Sequence, residues 1–175
     1  QKSIIDDKSR SQSIDDIYAR HEKDVTELFD KIWISTHWTD EDLAGANAIL
    51  ESLLVPANDV AVMISAVTLS LLQLFDSRKF QFLIKAYQTH SEAIVTQRAL
   101  TGIALATYYQ EKRLQLYPEL KEALSLLNDS TPVAQELNKI QIILLLSRET
   151  EKIDKKMREE IIPNMKISPE MMHPG

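Results

Sequence analysis

Apolar positions at Ile14, Ile17, Tyr18, Val25, Leu28, Phe29 and Ile32, with His21 on the same side, recur in steps of three and four. That spacing predicts a helix with one buried face. Trp33 and Trp38 flank a turn at Ser35-Thr36-His37. Thr39 then opens a second helix, with Asp42 three residues on to complete a capping box. Leu43, Ala46, Ile49, Leu50 and Leu53 carry that helix to its stop before Pro56, which disfavours α geometry at Val55. Three long apolar runs follow, Asn58–Phe75, Ser91–Tyr109 and Thr131–Leu146. Asn58 or Asp59 is expected to cap the first, and Thr89 with Glu92 the second as a capping box. Asp76 caps the amphipathic helix between them, near Arg78–Gln88.

Tyr117-Pro118 starts a further amphipathic helix, with Pro at the first helical position where its missing N–H costs nothing. After the turn Asn128-Asp129-Ser130, Thr131-Pro132 opens the last helix, expected over Pro132–Ile161. Its second half is charged, with Glu151 and Lys155, and Asp154 and Arg158, at stabilising i,i+4 spacing. The pattern amounts to about seven helices. The polar residues 1–13 read as a flexible leader, residues 14–162 as a single helical-repeat domain, and the Pro-punctuated residues 163–175 as an extended tail leading to a missing C-terminal part.

The first two apolar runs align at an offset of 33 residues, through Val62/Val95, Ala66/Ala99, Thr68/Thr101 and Leu72/Leu105. Repeats of that length built from helix pairs mark stacked helical arrays. The runs are also apolar nearly all round, so each has to be covered on more than one side. The expected fold class is therefore all-α, with stacked antiparallel helix pairs forming an α-solenoid or superhelix.

Composition narrows the picture. Glycine occurs at only 3 of 175 positions, which disfavours phosphate-binding loops and hairpins. The net charge of −6 lacks the clustered basic excess of a nucleic-acid surface, so no nucleic-acid partner is expected. The apolar stretch Val60–Phe75 is interrupted by Ser65, Thr68, Ser70 and Gln73 and is shorter than a membrane span, so no membrane insertion is expected. With no cysteine there is no disulfide or thiolate site; the compartment stays open, with the cytoplasm favoured. The start at Gln1, without an initiator Met, reads as a fragment of a longer protein or a mature form.

Chemistry is sparsely marked. Gly-x-Ser-x-Gly, Gly-Lys-Ser/Thr and Gly-x-Gly-x-x-Gly motifs are missing. His21, His37, His90 and His173 are scattered, and a lone Glu170-Met-Met-His173 falls short of the paired motifs a di-iron bundle needs. Asp6-Asp7 and Asp15-Asp16 resemble Mg²⁺-chelating pairs but lack a facing acidic motif, and acidic residues near a helix start are ordinary. No catalytic residue, metal or cofactor is assigned. The aromatic and basic residues Tyr87, Arg98, Tyr109, Lys112, Arg113 and Tyr117 are the expected partner-binding positions, since Tyr and Arg combine apolar area with a polar handle.

The segment Glu92-x-x-Val95-x-x-Arg98-Ala99-Leu100-x-x-Ile103-Ala104 resembles one helix of a HEAT-type repeat, and Asn58-Asp59-Val60-x-Val62-x-x-x-Ala66 looks like a degenerate copy. The 33-residue offset is also close to the tetratricopeptide repeat length. The resemblance departs from the HEAT pattern in placing Arg98 three residues after Val95, with Ser65 at the matching position of the earlier copy. It implies a non-enzymatic protein-interaction scaffold without a cofactor, able to bind another protein, another part of its own parent chain or a second copy of itself. The alternative is an all-α enzyme or ligand carrier, in which Asp15-Asp16, Asp40, Asp42 and His37 meet in a pocket between helices.

Overall fold

The computed structural model describes residues 2–161, and in these the chain is all-α. The helices are α1 (Lys2–Trp33), α2 (Asp40–Glu51), α3 (Ala57–Gln73), α4 (Ser77–Thr89), α5 (Ala93–Tyr109), the single turn α6 (Glu111–Leu114), α7 (Pro118–Asn128) and α8 (Thr131–Lys156), which widens into a π-helix over Met157–Ile161. The chain divides into two compact units, the first running to Ala134 and the second beginning at Gln135.

Several elements differ from the sequence expectation. Helix α1 extends through the expected leader 1–13, because neither Gly nor Pro interrupts residues 2–33. The division into units falls inside α8, within the residues 14–162 read as one domain; the expected tail 163–175 lies outside the described residues. An eighth α-helix, α6, is set off from α5 by a break at Gln110, where ψ is 19°.

Caps show where local signals decide and where they do not. The Thr39 box forms as expected: the Asp42 N–H donates to Thr39 Oγ1 at 3.2 Å, and the Thr39 N–H to Asp42 Oδ2 at 2.8 Å. The Thr39 N–H first, and the Thr39 hydroxyl donating to the same oxygen at 3.0 Å second, hold the Asp42 carboxyl below its ordinary range. Neither Asn58 nor Asp59 caps α3. Pro56, at φ −57°, is the N-cap and starts the helix at Ala57, while Asp59 binds His21 Nε2 at 2.8 Å. Thr89 closes α4 by donating to Lys85 O at 2.9 Å, so the expected box with Glu92 does not form.

In the first unit α4 packs on its chain neighbours α3 and α5, and α1, α2 and α3 each pack on the helix two along. In one row, α1 packs on α3 and α3 on α5; in a second, α2 packs on α4. Arg98 Nη1 donates to Ala61 O at 3.4 Å and Ser65 Oγ at 3.2 Å near the start of α5, and Gln110 Nε2 donates to Leu71 O at 2.8 Å past its end. Early residues thus meet early residues and late meet late, so α3 and α5 run in the same direction. The same holds for α1 and α3, through His21–Asp59 and the Ser70 hydroxyl on Ser35 O at 3.3 Å. It holds again for α2 and α4, through Asp40–Arg78 at 2.7 Å and Glu51–Lys85 at 2.5 Å. These contacts join residues 33 to 39 apart. Arg98 and Ser65 stand at the 33-residue offset read in the sequence, and the other contacts at 34 to 39.

The core lies between these rows. Val60, Ala61, Met63, Ile64, Ala66, Val67 and Leu71 of α3 are fully buried, as are Phe80, Phe82, Leu83 and Ala86 of α4 and Val95, Ala99, Ile103 and Ala106 of α5. Helix α3 is buried nearly all round, as its sequence requires, because α1, α4 and α5 all pack on it. Leu120 and Leu127 bury one face of α7, and α4 is among its neighbours.

The second unit, in its described residues, is the remainder of α8 and the π-turn after it. The third apolar run was expected to be covered on more than one side, but Ile142, Ile143 and Leu146 are 57–62% exposed. Ion pairs line the helix, with Glu149–Lys152 and Asp154–Arg158 both at 3.0 Å. Lys155 reaches toward Glu159, not the expected Glu151.

Candidate functional site

Titratable groups converge in the first unit at the corner between α1 and α2. Lys79 lies one turn into α4 and is fully buried. Its Nζ donates to Ser35 O at 2.9 Å, Thr36 O at 2.7 Å and Ser70 Oγ at 2.7 Å, which uses all three of its protons. It also sits 5.7 Å from the centroid of the Trp38 ring, within cation–π range. Burial pushes the Lys79 ammonium below its ordinary value, with the charges of Asp76 and Asp42 pulling the other way.

Asp76 is the counterpart, 4% exposed. Its Oδ1 accepts from the Arg78 and Lys79 N–H groups at 2.8 and 3.0 Å, capping α4; its Oδ2 accepts from the Trp38 N–H at 2.6 Å. His37 Nδ1 stands 3.6 Å from the same oxygen. Outside this core the Arg78 guanidinium hydrogen-bonds Asp40 at 2.7 Å and holds its carboxyl below the usual range. Trp38 closes the corner, buried with its ring edge-on to Phe82 at 5.8 Å.

The arrangement is a clamp. A buried ammonium ties down two carbonyls of the α1–α2 turn, and a buried carboxylate ties the next N–H of that turn to the start of α4. Every polar atom named is engaged with the chain itself, so Lys79 has no proton or lone pair free for a bound molecule. Sequence reading recognised Asp76 as a cap but missed Lys79, because a lysine on an amphipathic helix looks like a solvated one.

The other acidic residues do not join this cluster. Asp15 and Asp16 are exposed on α1, and Asp16 lies 17 residues before Trp33, roughly 25 Å along the helix axis. Asp6 and Asp7 are within α1, and Glu170 and His173 lie outside the described residues. Among the described residues no group of three or more His, Asp or Glu side chains is placed to hold a metal ion, and no helix is long and apolar enough to cross a membrane.

The six positions expected to bind a partner fall at both ends of α5. Tyr87, half-buried in the last turn of α4, and Arg98 belong to one end; Tyr109, Lys112, Arg113 and Tyr117 belong to the other. Arg98 and Tyr109 are separated by roughly 16 Å of helix. Arg98 is engaged with α3, and Tyr117 is half-buried with its ring 4.9 Å from that of Phe75. Tyr109, Lys112 and Arg113 are exposed, with Leu116 beside them.

A different surface was not foreseen. After α2 the chain turns through Ser52-Leu53-Leu54-Val55, and Leu53 and Leu54 are 101% and 93% exposed. The turn is fixed: the Leu54 N–H donates to Ser52 Oγ at 3.3 Å and the Val55 N–H to Ser52 O at 3.4 Å. Sequence reading had placed Leu53 on the apolar face of α2. The helix stops at Glu51, two residues too early for that.

No protein-family model, no curated protein and no solved structure matches this chain.

Proposed function

We propose that the chain is a non-enzymatic protein-interaction module, its first unit a short helical repeat that docks another protein through the turn carrying Leu53 and Leu54. The exposure of these adjacent leucines on a hydrogen-bonded turn is the observation that carries the reading. Two side chains of that size held in water contribute nothing to the fold, whereas burying one against a partner is worth about 1.5–3 kcal/mol. The packing of α1 on α3, α3 on α5 and α2 on α4 supports the repeat reading, because neighbouring units in a helical array lean on one another in this way. The closed hydrogen-bonding of Lys79 and Asp76 favours a structural over a catalytic role for the one buried charge cluster described. Tyr109, Lys112 and Arg113 extend the reading to a second contact surface: both cations are exposed and neither has a carboxylate partner among the described residues, which suits an acidic segment.

A photoreactive amino acid at position 54 should crosslink a discrete protein that the same group at exposed Glu119 does not. Leu53→Asp with Leu54→Asp should weaken binding of that protein at least tenfold, about 1.4 kcal/mol. Stability should stay within about 0.5 kcal/mol, as for other surface changes. Identical crosslinking from positions 54 and 119, or undiminished binding by the double variant, would remove the reading.

A further inference from the structure

Helix α8 carries an apolar seam within the second unit. Ile143, Leu146, Thr150, Ile153 and Met157 follow one another at steps of three, four, three and four, the spacing by which a helix packs lengthwise on another helix. Ile143, Leu146 and Ile153 are about 60% exposed and Met157 is 44% exposed, and Thr150, Ile153 and Met157 line an open groove with Asp154 and Arg158. We infer that this seam is the self-association surface of the protein, joining two copies of α8 in antiparallel orientation.

The charges beside the seam choose both the occupant and its direction. Glu149 directly precedes Thr150, Lys156 directly precedes Met157, and Asp154 directly follows Ile153. If two copies ran parallel, Glu149 of each would face Asp154 of the other, giving two like-charge contacts, and Thr150 would meet Thr150 in the middle of the seam. In the antiparallel pair the residues that precede the core positions face each other, so Glu149 of each copy meets Lys156 of the other. Thr150 then packs against Ile153, and Leu146 against Met157. One arrangement has two attractive contacts and mixed polar–apolar layers; the other has two repulsions and a polar layer. Flanking charges set orientation in this way even where each pair adds little affinity. The seam is short, so the dimer dissociates on dilution.

The chain has no cysteine, so an introduced thiol is unique. The full-length chain should show a light-scattering mass that rises with concentration from 20.0 kDa toward twice that value. Ile153→Glu should abolish the rise without moving the thermal transition of the first unit. Glu149→Lys and Lys156→Glu should each weaken dimerisation roughly tenfold, through two reversed contacts per dimer, and the two together should restore it. A Thr150→Cys chain mixed with an Ile153→Cys chain under diamide should give a mixed disulfide dimer that neither forms alone. A chain that stays monomeric while Ile153→Glu lowers its melting temperature would show that the seam packs on its own first unit, and would overturn the proposal. So would a dimer indifferent to Ile153→Glu, or efficient disulfide formation by either variant alone, which marks parallel helices.

Discussion

Asp76→Ala should lower the stability of the first unit by about 3–5 kcal/mol, the cost of leaving a buried charge without its partner. Three losses combine. The Arg78 and Lys79 N–H groups lose their cap, the Trp38 N–H is left unbonded inside the fold, and the buried Lys79 ammonium loses the larger of the two carboxylate charges that favour it. Cap removal alone costs about 1 kcal/mol, so the remainder measures the clamp. With total domain stabilities of about 5–15 kcal/mol, the variant should melt some 10–20 °C lower. Asp76→Asn keeps a capping oxygen and should recover about half of the loss. Lys79→Met should be costly alone but far less so in the Asp76→Asn background, since each change removes what the other leaves stranded. Additive losses, or a loss below 1 kcal/mol for Asp76→Ala, would mean that the two side chains do not act as a unit.

The same pair has a pH signature. Burial places the native value of Lys79 below its ordinary 10.5. Between those two values the unfolded chain holds more protons than the folded one, so this group's contribution to stability rises with pH. Below that window the charged form carries its full desolvation cost. The stability of the native chain relative to Lys79→Met should therefore increase as pH climbs toward 10.5. Chemical denaturation of both chains across that range checks it, and a flat or falling difference would contradict the burial.

How far these features could be read in advance depended on whether their causes were local. The Thr39–Asp42 box spans four residues and needs nothing beyond them, and it forms as read. Asp76 was legible as a cap for the same reason, but its bond to Trp38 crosses 38 residues and left no mark in the spacing. The misplaced caps at Asp59 and Thr89 show distant or competing partners winning: Asp59 binds His21 on another helix, and Thr89 turns back to its own. The nearly all-round apolar character of α3 foretold its burial. Ile142, Ile143 and Leu146 of α8 belong to a similar apolar run and lie exposed, because such a run records a surface that needs covering and not what covers it. The Leu53-Leu54 turn was hidden by an uncertain helix end, the least readable part of any helix.

Gly102 is where the spacing of the first row is set, and Gly102→Ala should destabilise the first unit by about 1–2 kcal/mol. A Cβ there would lie 2.3 Å from Thr68 Oγ1 and 3.3 Å from Leu83 Cδ1. The Thr68 hydroxyl donates to Ile64 O at 2.9 Å, and its own Cβ would sit 3.4 Å from the new methyl, so rotating it away sacrifices a bond without clearing the space. Overpacking of this kind costs about 1–3 kcal/mol, against which alanine's better helix propensity returns up to about 1. Gly102→Leu has no such offset in proportion to its size and should cost more than about 3 kcal/mol. Thr68→Ala removes the obstructing oxygen, so Gly102→Ala with Thr68→Ala should return close to the parent stability. Denaturant unfolding of the four chains decides it. Propensity alone predicts that Gly102→Ala stabilises, and that result would show that α3 and α5 do not touch at this point. Rescue by Thr68→Ala would instead place residues 34 apart in sequence in direct contact. Glycine is then favoured at position 102 because the Thr68 hydroxyl of the neighbouring helix occupies the space a side chain would take.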